Sequence, residues 1–334
     1  MHSTYSDGTT DIGEIVADAH AAGVDVVMIT DHHTMTATRH GWNGWHDDVL
    51  VIVGYEHSDP HDANHLLVFG MNEPMDPTLS PRQYVHQATG AGGMVFLAHP
   101  VECRARRGKI RPYPWTASLD LPFQGVEVWN FMSLWAERYT ARRALLNYVM
   151  PGIAGERPDD ETLALWDRCA ESRPVAGIAG LDAHVLKVPW GPLRLTLFPL
   201  ARLFRGPLTM VETSAPLSRT DARADTAMLL AHLARGNSMM GVRKYGPLEE
   251  ILTRFGSDHG QVWGETFVAR EPVDLVMTLP RRACAKLLRS GRVVAETRGR
   301  TVRFPVTEPG IYRVELRRRG AVWVITNHLR VTRG

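Results

Sequence analysis

The 334-residue chain has three cysteines, Cys103, Cys169 and Cys284, scattered and with no CxxC pair. That excludes a disulfide framework and makes a reducing compartment the expectation. No uninterrupted apolar run approaches the roughly 18–20 residues that a membrane-spanning helix needs. At the start, His2, Ser3, Ser6 and Asp7 stand where a signal peptide would be basic and then apolar, so none is read there. Internal repeats and low-complexity tracts are also missing. With 44% hydrophobic and 22% charged residues, the disordered and fibrous classes are excluded. A cytoplasmic protein with one large unit and one small one is the expectation.

Two averages hide an uneven distribution. Of the 15 histidines, 11 lie in the first 99 residues. The formal net charge of +2 conceals a tail, residues 281–334, that carries a net +11. The front is acidic and rich in histidine.

The front reads as strands alternating with helices. Asp11 and Glu14 suit a capping box, Ile12, Ile15, Val16 and Ala19 recur at helical spacing, and Gly23 supplies a stop. Val24–Thr30 is a β-branched run, expected as a strand buried on both faces, and Asp31-His32-His33 follows it. Further strands are expected at Leu50–Tyr55, Leu66–Phe69, Met94–Ala98, Gly125–Trp129, Val175–Leu181 and Leu208–Thr213. Helices are expected at about Pro81–Ala91, Leu134–Tyr148 and Asp221–Arg235. This alternation predicts an α/β fold with a parallel sheet, a (β/α) barrel by unit count, and ligands at the carboxyl ends of the strands. From about Gly264 the pattern changes to short strands separated by turns such as Ser290-Gly291 and Pro309-Gly310. A small β-sandwich is expected there. The expected division is residues 1–260 and 261–334.

The polar residues at the predicted strand ends are His2, Asp7, Asp31, His32, Glu56, His65, His99, Glu127, Asp182 and His184. Ionisable groups crowded at one end of an apolar scaffold repel or are desolvated unless something compensates, and divalent cations do so. Imidazole and carboxylate without thiolate suit Zn, Mn or Fe.

The segments HSTYSDG (His2–Gly8), ITDHH (Ile29–His33), GYEHS (Gly54–Ser58), HLLVFG (His65–Gly70), AHP (Ala98–Pro100), VEVWN (Val126–Asn130) and GLDAH (Gly180–His184) occur in that order. Together they resemble the polymerase and histidinol phosphatase (PHP) superfamily, and within it the CehA/McbA type of metallohydrolase. GIYRVEL (Gly310–Leu316) and WVITNHLRV (Trp323–Val331) look like the closing strands of the β-sandwich such proteins often append.

The resemblance implies a distorted (β/α)7 barrel of the PHP type holding up to three metal ions, followed by a C-terminal β-sandwich. It implies His2, Glu56 and Asp182 on a first metal. Glu56 would bridge to a second, held also by His65 and His99, and Asp7, His32 and His184 would hold a third. Glu56, His99 and Asp182 are the implied catalytic residues, and the implied chemistry is hydrolysis by a hydroxide held between metals. The family motif begins HxH, and here Met1 stands at the middle position. The resemblance therefore implies one further ligand and one further central strand than this chain carries. A start assigned too late is the favoured reading, and a weakened first metal site is the alternative.

Around this set, Asp31 is expected to orient His32 or to cap the following turn, and Glu127 to support the ligands, contact substrate or form a buried ion pair. His33 and His57 neighbour ligands and could reach substrate, although a solvent-facing role competes. Arg104, Arg106, Arg107, Lys109 and Arg111 follow His99 and could steer an anion, as could Lys187. A charge run in a solvated loop is the competing reading. The expected partner is a small anionic substrate. The arginines of the tail alternate with apolar residues and offer no aromatic stacking set, so nucleic acid is the weaker expectation, and packing against the acidic front is the stronger use of that charge. The leading function is a phosphoesterase. Carbamate or carboxylic ester hydrolysis and a non-catalytic ligand-binding protein are the alternatives.

Overall fold

The computed structural model describes residues 1–102, 111–138, 157–190, 193–259 and 262–334. Cys103, Arg104, Arg106, Arg107 and Lys109 lie outside them, as does most of the helix expected at Leu134–Tyr148.

Asp11 starts the first helix, α1 (Ile12–Ala21), by accepting the N–H of Glu14 on its side chain. The predicted stripe of Ile12, Ile15, Val16 and Ala19 is its buried face. Each of the larger three is worth roughly 1.5–3 kcal/mol when fully buried. The chain continues through β1 (Val26–Ile29), a one-turn helix α2 (Thr36–Arg39), and the hairpin of β2 (Gly44–His46) and β3 (Val49–Val53). β3 lies between β2 and β1 and runs parallel to β1.

A second sheet has the order β4 (Tyr55–His57), β5 (Leu66–Phe69), β6 (Met94–Leu97), β7 (Gly125–Asn130) and β8 (Ala176–Gly180). Here the expectation of a parallel sheet is corrected. β5 is antiparallel to both β4 and β6, and only the pairs β6–β7 and β7–β8 are parallel. The eight residues between β4 and β5 contain no helix, and a parallel return needs a crossover of a dozen or more. Helix α3 (Pro81–Gly90) starts on a capping box of Ser80 and Gln83. α4 (Phe131–Arg138) and α5 (Asp160–Ser172) follow β7. The two sheets are joined by a parallel bridge between His32 and Glu56, and no closed barrel forms among the described residues.

β1 is not buried on both faces as expected. Val27 and Ile29 are buried, whereas Val26 and Met28 are half-buried. Their side of the strand borders a cavity of about 440 Å³, walled opposite by Ile178, Leu208 and Met210 and reaching His2, Glu56 and Asp182. Met1 lies alongside β1: its N-terminal amine donates to Thr30 Oγ1 at 2.9 Å, and its carbonyl accepts the Thr30 N–H at 2.9 Å.

Beyond the hairpin of β9 (Leu186–Trp190) and β10 (Leu193–Leu197) come a short α6 (Leu200–Leu203), β11 (Leu208–Val211), α7 (Ala222–Arg235) and β12 (Ser238–Gly241). The chain then becomes strand-rich: β13 (Leu252–Phe255), β14 (Asp258–His259), β15 (Thr266–Val268), β16 (Val273–Arg289), β17 (Arg292–Val306), β18 (Gly310–Arg318), β19 (Ala321–Thr326) and β20 (Leu329–Thr332). The short strands that the pattern predicts at 274–278, 285–288, 293–297 and 301–305 are instead two long ones. β16 and β17 form one hairpin with register shifts, and Ser290 and Gly291 at its turn both have positive φ. β12 pairs with β19 and β13 with β16, so strands on both sides of the expected division share one sheet.

Part of the basic tail packs inward. Arg313 grips Asp167 of α5 through Nε and Nη2, both at 2.8 Å, and Arg330 donates to Ala170 O at the end of the same helix. His328 Nε2 lies 2.8 Å from the same carboxylate. No described helix is long and apolar enough to cross a membrane.

Candidate metal centre

The loops and strand ends converge on Glu56. Its Oε2 lies 3.2 Å from His2 Nε2, and its Oε1 lies 2.6 Å from His65 Nδ1 and 3.4 Å from His99 Nε2. One carboxylate thus divides its two oxygens between two groups of imidazoles. Asp182 Oδ1 approaches the same His2 Nε2 at 3.2 Å and His184 Nδ1 at 3.6 Å. Asp7 lies over the outer side, 3.1 Å from His184 Nε2, 3.7 Å from His32 Nε2 and 3.5 Å from His2 Nδ1. The His2 ring is stacked between His32 and His184, with centroids 4.5 and 4.6 Å apart.

Local backbone makes this convergence. His99 and Asp182 have φ of +27° and +49°, the left-handed region that residues other than glycine seldom adopt. Each turns the chain sharply as it leaves a strand. Gly180 ends β8 without a side chain because a Cβ there would collide with Glu127 Oε1.

The electrostatics follow from crowding. Burial alone favours neutral His2, yet Asp182 and Glu56 outweigh it and raise the imidazole to about 9. Burial likewise opposes a charged His99, and the Glu102 and Glu56 carboxylates raise it to about 10. Burial disfavours ionised Glu56, but the His2, His65 and His99 rings hold it well below the usual carboxylate range. Asp182 is held low in the same way, against its burial, by His2 and His184. In the absence of cations, protons on the imidazoles balance these carboxylates.

Among the described residues, three groups have donors placed so that they could hold an ion: Glu56, His65 and His99; His2, His32 and Glu56; and His2, Asp182 and His184. In each, one donor atom per residue lies within 4.8 Å of the others. His2 Nδ1 and His65 Nε2 are buried and have no hydrogen-bond partner. Imidazole and carboxylate donors, buried and under-satisfied, fit a divalent cation. Asp7 belongs to none of these groups, and its side chain is 55% exposed.

The residues expected around the ligands divide differently. Among the described residues, the Asp31 side chain makes its hydrogen bonds to the first loop and none to His32 or the turn after it. It accepts hydrogen bonds from Ser3 N–H, Ser3 Oγ and Ser6 Oγ at 2.6–2.7 Å, and so pins the segment carrying His2 and Asp7. His33 contacts Ser58 Oγ at 3.0 Å. His57 is buried and stacked on Tyr84, with burial lowering it to about 3, which removes it from any surface reaching substrate. Glu127 is buried, accepts the His99 N–H at 3.0 Å and Asn130 Nδ2 at 2.8 Å, and is pushed up by burial. Arg111 is engaged by Asp62 at 3.1 Å. Arg104 lies outside the described residues, and Lys187 is described only as part of the β9 backbone.

Sequence reasoning missed Glu102. Its buried carboxylate lies 3.4 Å from His99 Nδ1 and accepts the Tyr113 N–H and the Ser133 hydroxyl. It also missed Tyr113, whose ring stacks on His65 at 4.8 Å. The one available signal was an acidic residue three positions after a ligand.

No family model matches the chain, and no curated protein does. Among solved structures it is similar to a two-domain protein from Bacteroides vulgatus ATCC 8482 containing a predicted PHP-like metal-dependent phosphoesterase. The identity is 14% over 98% of this chain and 93% of that one, with a TM-score of 0.46. It is also similar to CHIR-AB1, at 14% identity over 25% of this chain and 97% of that one, with a TM-score of 0.20. At these scores neither likeness carries an argument about function.

Proposed function

We propose that this chain is a metal-dependent hydrolase of the PHP type, acting on phosphoesters. The observation that carries the reading is the division of Glu56 between two sets of imidazoles, the geometry of a carboxylate shared by two cations. His65 and His99 would complete one cation site with Glu56, and His2, Asp182, His32 and His184 would supply the others. Bound divalent cations would activate water and neutralise charge developing on a phosphoryl oxygen.

The protein's own part is positioning. His2, Glu56, His65 and His99 are buried, while His184, His32 and Asp7 are progressively more open to solvent. Substrate would therefore approach over Asp7, with the buried imidazoles beneath it. With cations bound in place of their protons, the imidazoles would serve as neutral donors and the site would present a net positive field to an anion.

The test is an assay of metal-depleted protein reloaded with Mn or Zn, on p-nitrophenyl phosphate, bis(p-nitrophenyl) phosphate and an aryl carbamate side by side. Turnover of a phosphate ester that EDTA abolishes supports the reading. Turnover of the carbamate alone assigns a carbonyl substrate, and turnover of none points to a binding protein.

A further inference from the structure

We propose that Glu102 is the positioning residue for the Glu56–His65–His99 group, setting both the orientation of the His99 ring and the wall behind His65. The inference rests on the metal-binding reading above. His99 presents Nε2 to Glu56 Oε1 at 3.4 Å and Nδ1 to Glu102 Oε1 at 3.4 Å, so its ring is held between two carboxylates. For Nε2 to donate its lone pair to a cation, the ring proton must reside on Nδ1. A buried carboxylate facing Nδ1 enforces that tautomer and makes the ring more basic. The Nδ1 contact is an ion-pair contact and not an aligned hydrogen bond.

The same carboxylate does a second task. Its Oε2 accepts the Tyr113 N–H at 2.9 Å, fixing the backbone of the residue whose ring covers His65. The Ser133 hydroxyl donates to Oε1 from α4, and the Ser133 N–H is itself held by Asn130 Oδ1 at 2.8 Å. Glu102 is thus anchored from α4; one oxygen faces His99, and the other holds the residue whose ring covers His65. A residue serving only packing would not need a carboxyl group here, because burying one is costly unless it is well paired.

The experiment compares wild type with Glu102→Ala and Glu102→Gln. Zinc and manganese affinity is measured by titration calorimetry, unfolding is followed in EDTA, and His99 ring nitrogens are observed by ¹⁵N NMR with zinc bound. We expect Glu102→Ala to lose about 10–100-fold in affinity for its most tightly bound ion. Glu102→Gln keeps an acceptor oxygen and should lose less, with an unfolding midpoint in EDTA close to wild type. The His99 signals should report a proton fixed on Nδ1 in wild type and a mixture of tautomers in Glu102→Ala. Where Glu102→Ala does not fold, Glu102→Gln decides: a several-fold loss of affinity supports the proposal. Wild-type affinity in the folded variants, or an unchanged His99 signature, overturns it while leaving the metal-binding reading intact. Wild-type protein that takes up no metal overturns both.

Discussion

Glu56 Oε1 stands 2.6 Å from His65 Nδ1, while Oε2 of the same carboxylate stands 3.2 Å from His2 Nε2. Removing its charge should therefore affect two groups at once. Glu56→Gln keeps the shape but cannot satisfy two cations, so metal content by elemental analysis should fall by more than one ion per chain. His99→Ala should remove one ion and leave the His2 side loaded.

Asp31 is a lever on one side of the centre only. It holds Ser3 and Ser6, and so places His2 and Asp7, without touching His65 or His99. Asp31→Ala should weaken the weaker phase of a metal titration by roughly tenfold while leaving the Glu56–His65–His99 phase close to wild type. Equal loss from both phases would contradict this division.

Metal uptake should depend steeply on pH. His2 is raised to about 9 and His99 to about 10, by partners that outweigh burial. Cations must displace those protons, so apparent affinity rises with pH up to that window, and proton release is measurable by calorimetry in buffers of different ionisation enthalpy. For metal-free protein the sign is opposite. Raised imidazoles contribute stability that is complete below their unfolded value near 6.5 and is lost as pH rises toward 9–10. EDTA-treated protein should unfold more readily at pH 9 than at pH 6.5, and metal should reverse that trend.

Asp167 tests the attachment of the strand-rich tail. Burial disfavours its charge, but Arg313 and His328 hold it near 2. Its contribution is present above the unfolded value near 3.8 and is lost as pH falls toward 2. Burial also lowers His328, so protonation below about 6.5 costs stability in the same direction. Asp167→Asn should cost about 3–5 kcal/mol by leaving Arg313 buried without its charge partner. Denaturant unfolding at pH 7 measures this directly.

The sequence was most informative where chemistry and periodicity coincide. The stripe of α1, its Asp11 cap and the end of α7 at Gly236 were legible because each rests on neighbours a few residues apart. The polar residues Glu56, His65, His99, Asp182 and His184 were legible because each sits at or beside the end of an apolar run, and His2 through the HSTYSDG segment. Strand direction was not, since β5 reads as an apolar run whichever way it pairs. Nor was the half-burial of Val26 and Met28, which depends on the cavity beside β1. Glu102 escaped notice because its role appears only when Tyr113 and Ser133 are brought to it by the fold. The long β16–β17 hairpin was missed because Arg281-Arg282 and Gly299 read as loops, although the structure carries them within strands.

The buried imidazoles and Glu56 are proposed as a centre for divalent cations. Titration of EDTA-treated wild-type protein with zinc at pH 8, followed by elemental analysis after gel filtration, tests it most directly. At least two ions per chain should be retained, with the number falling by more than one in Glu56→Gln. Retention of no ion by folded wild-type protein, or equal retention by wild type and Glu56→Gln, would contradict it.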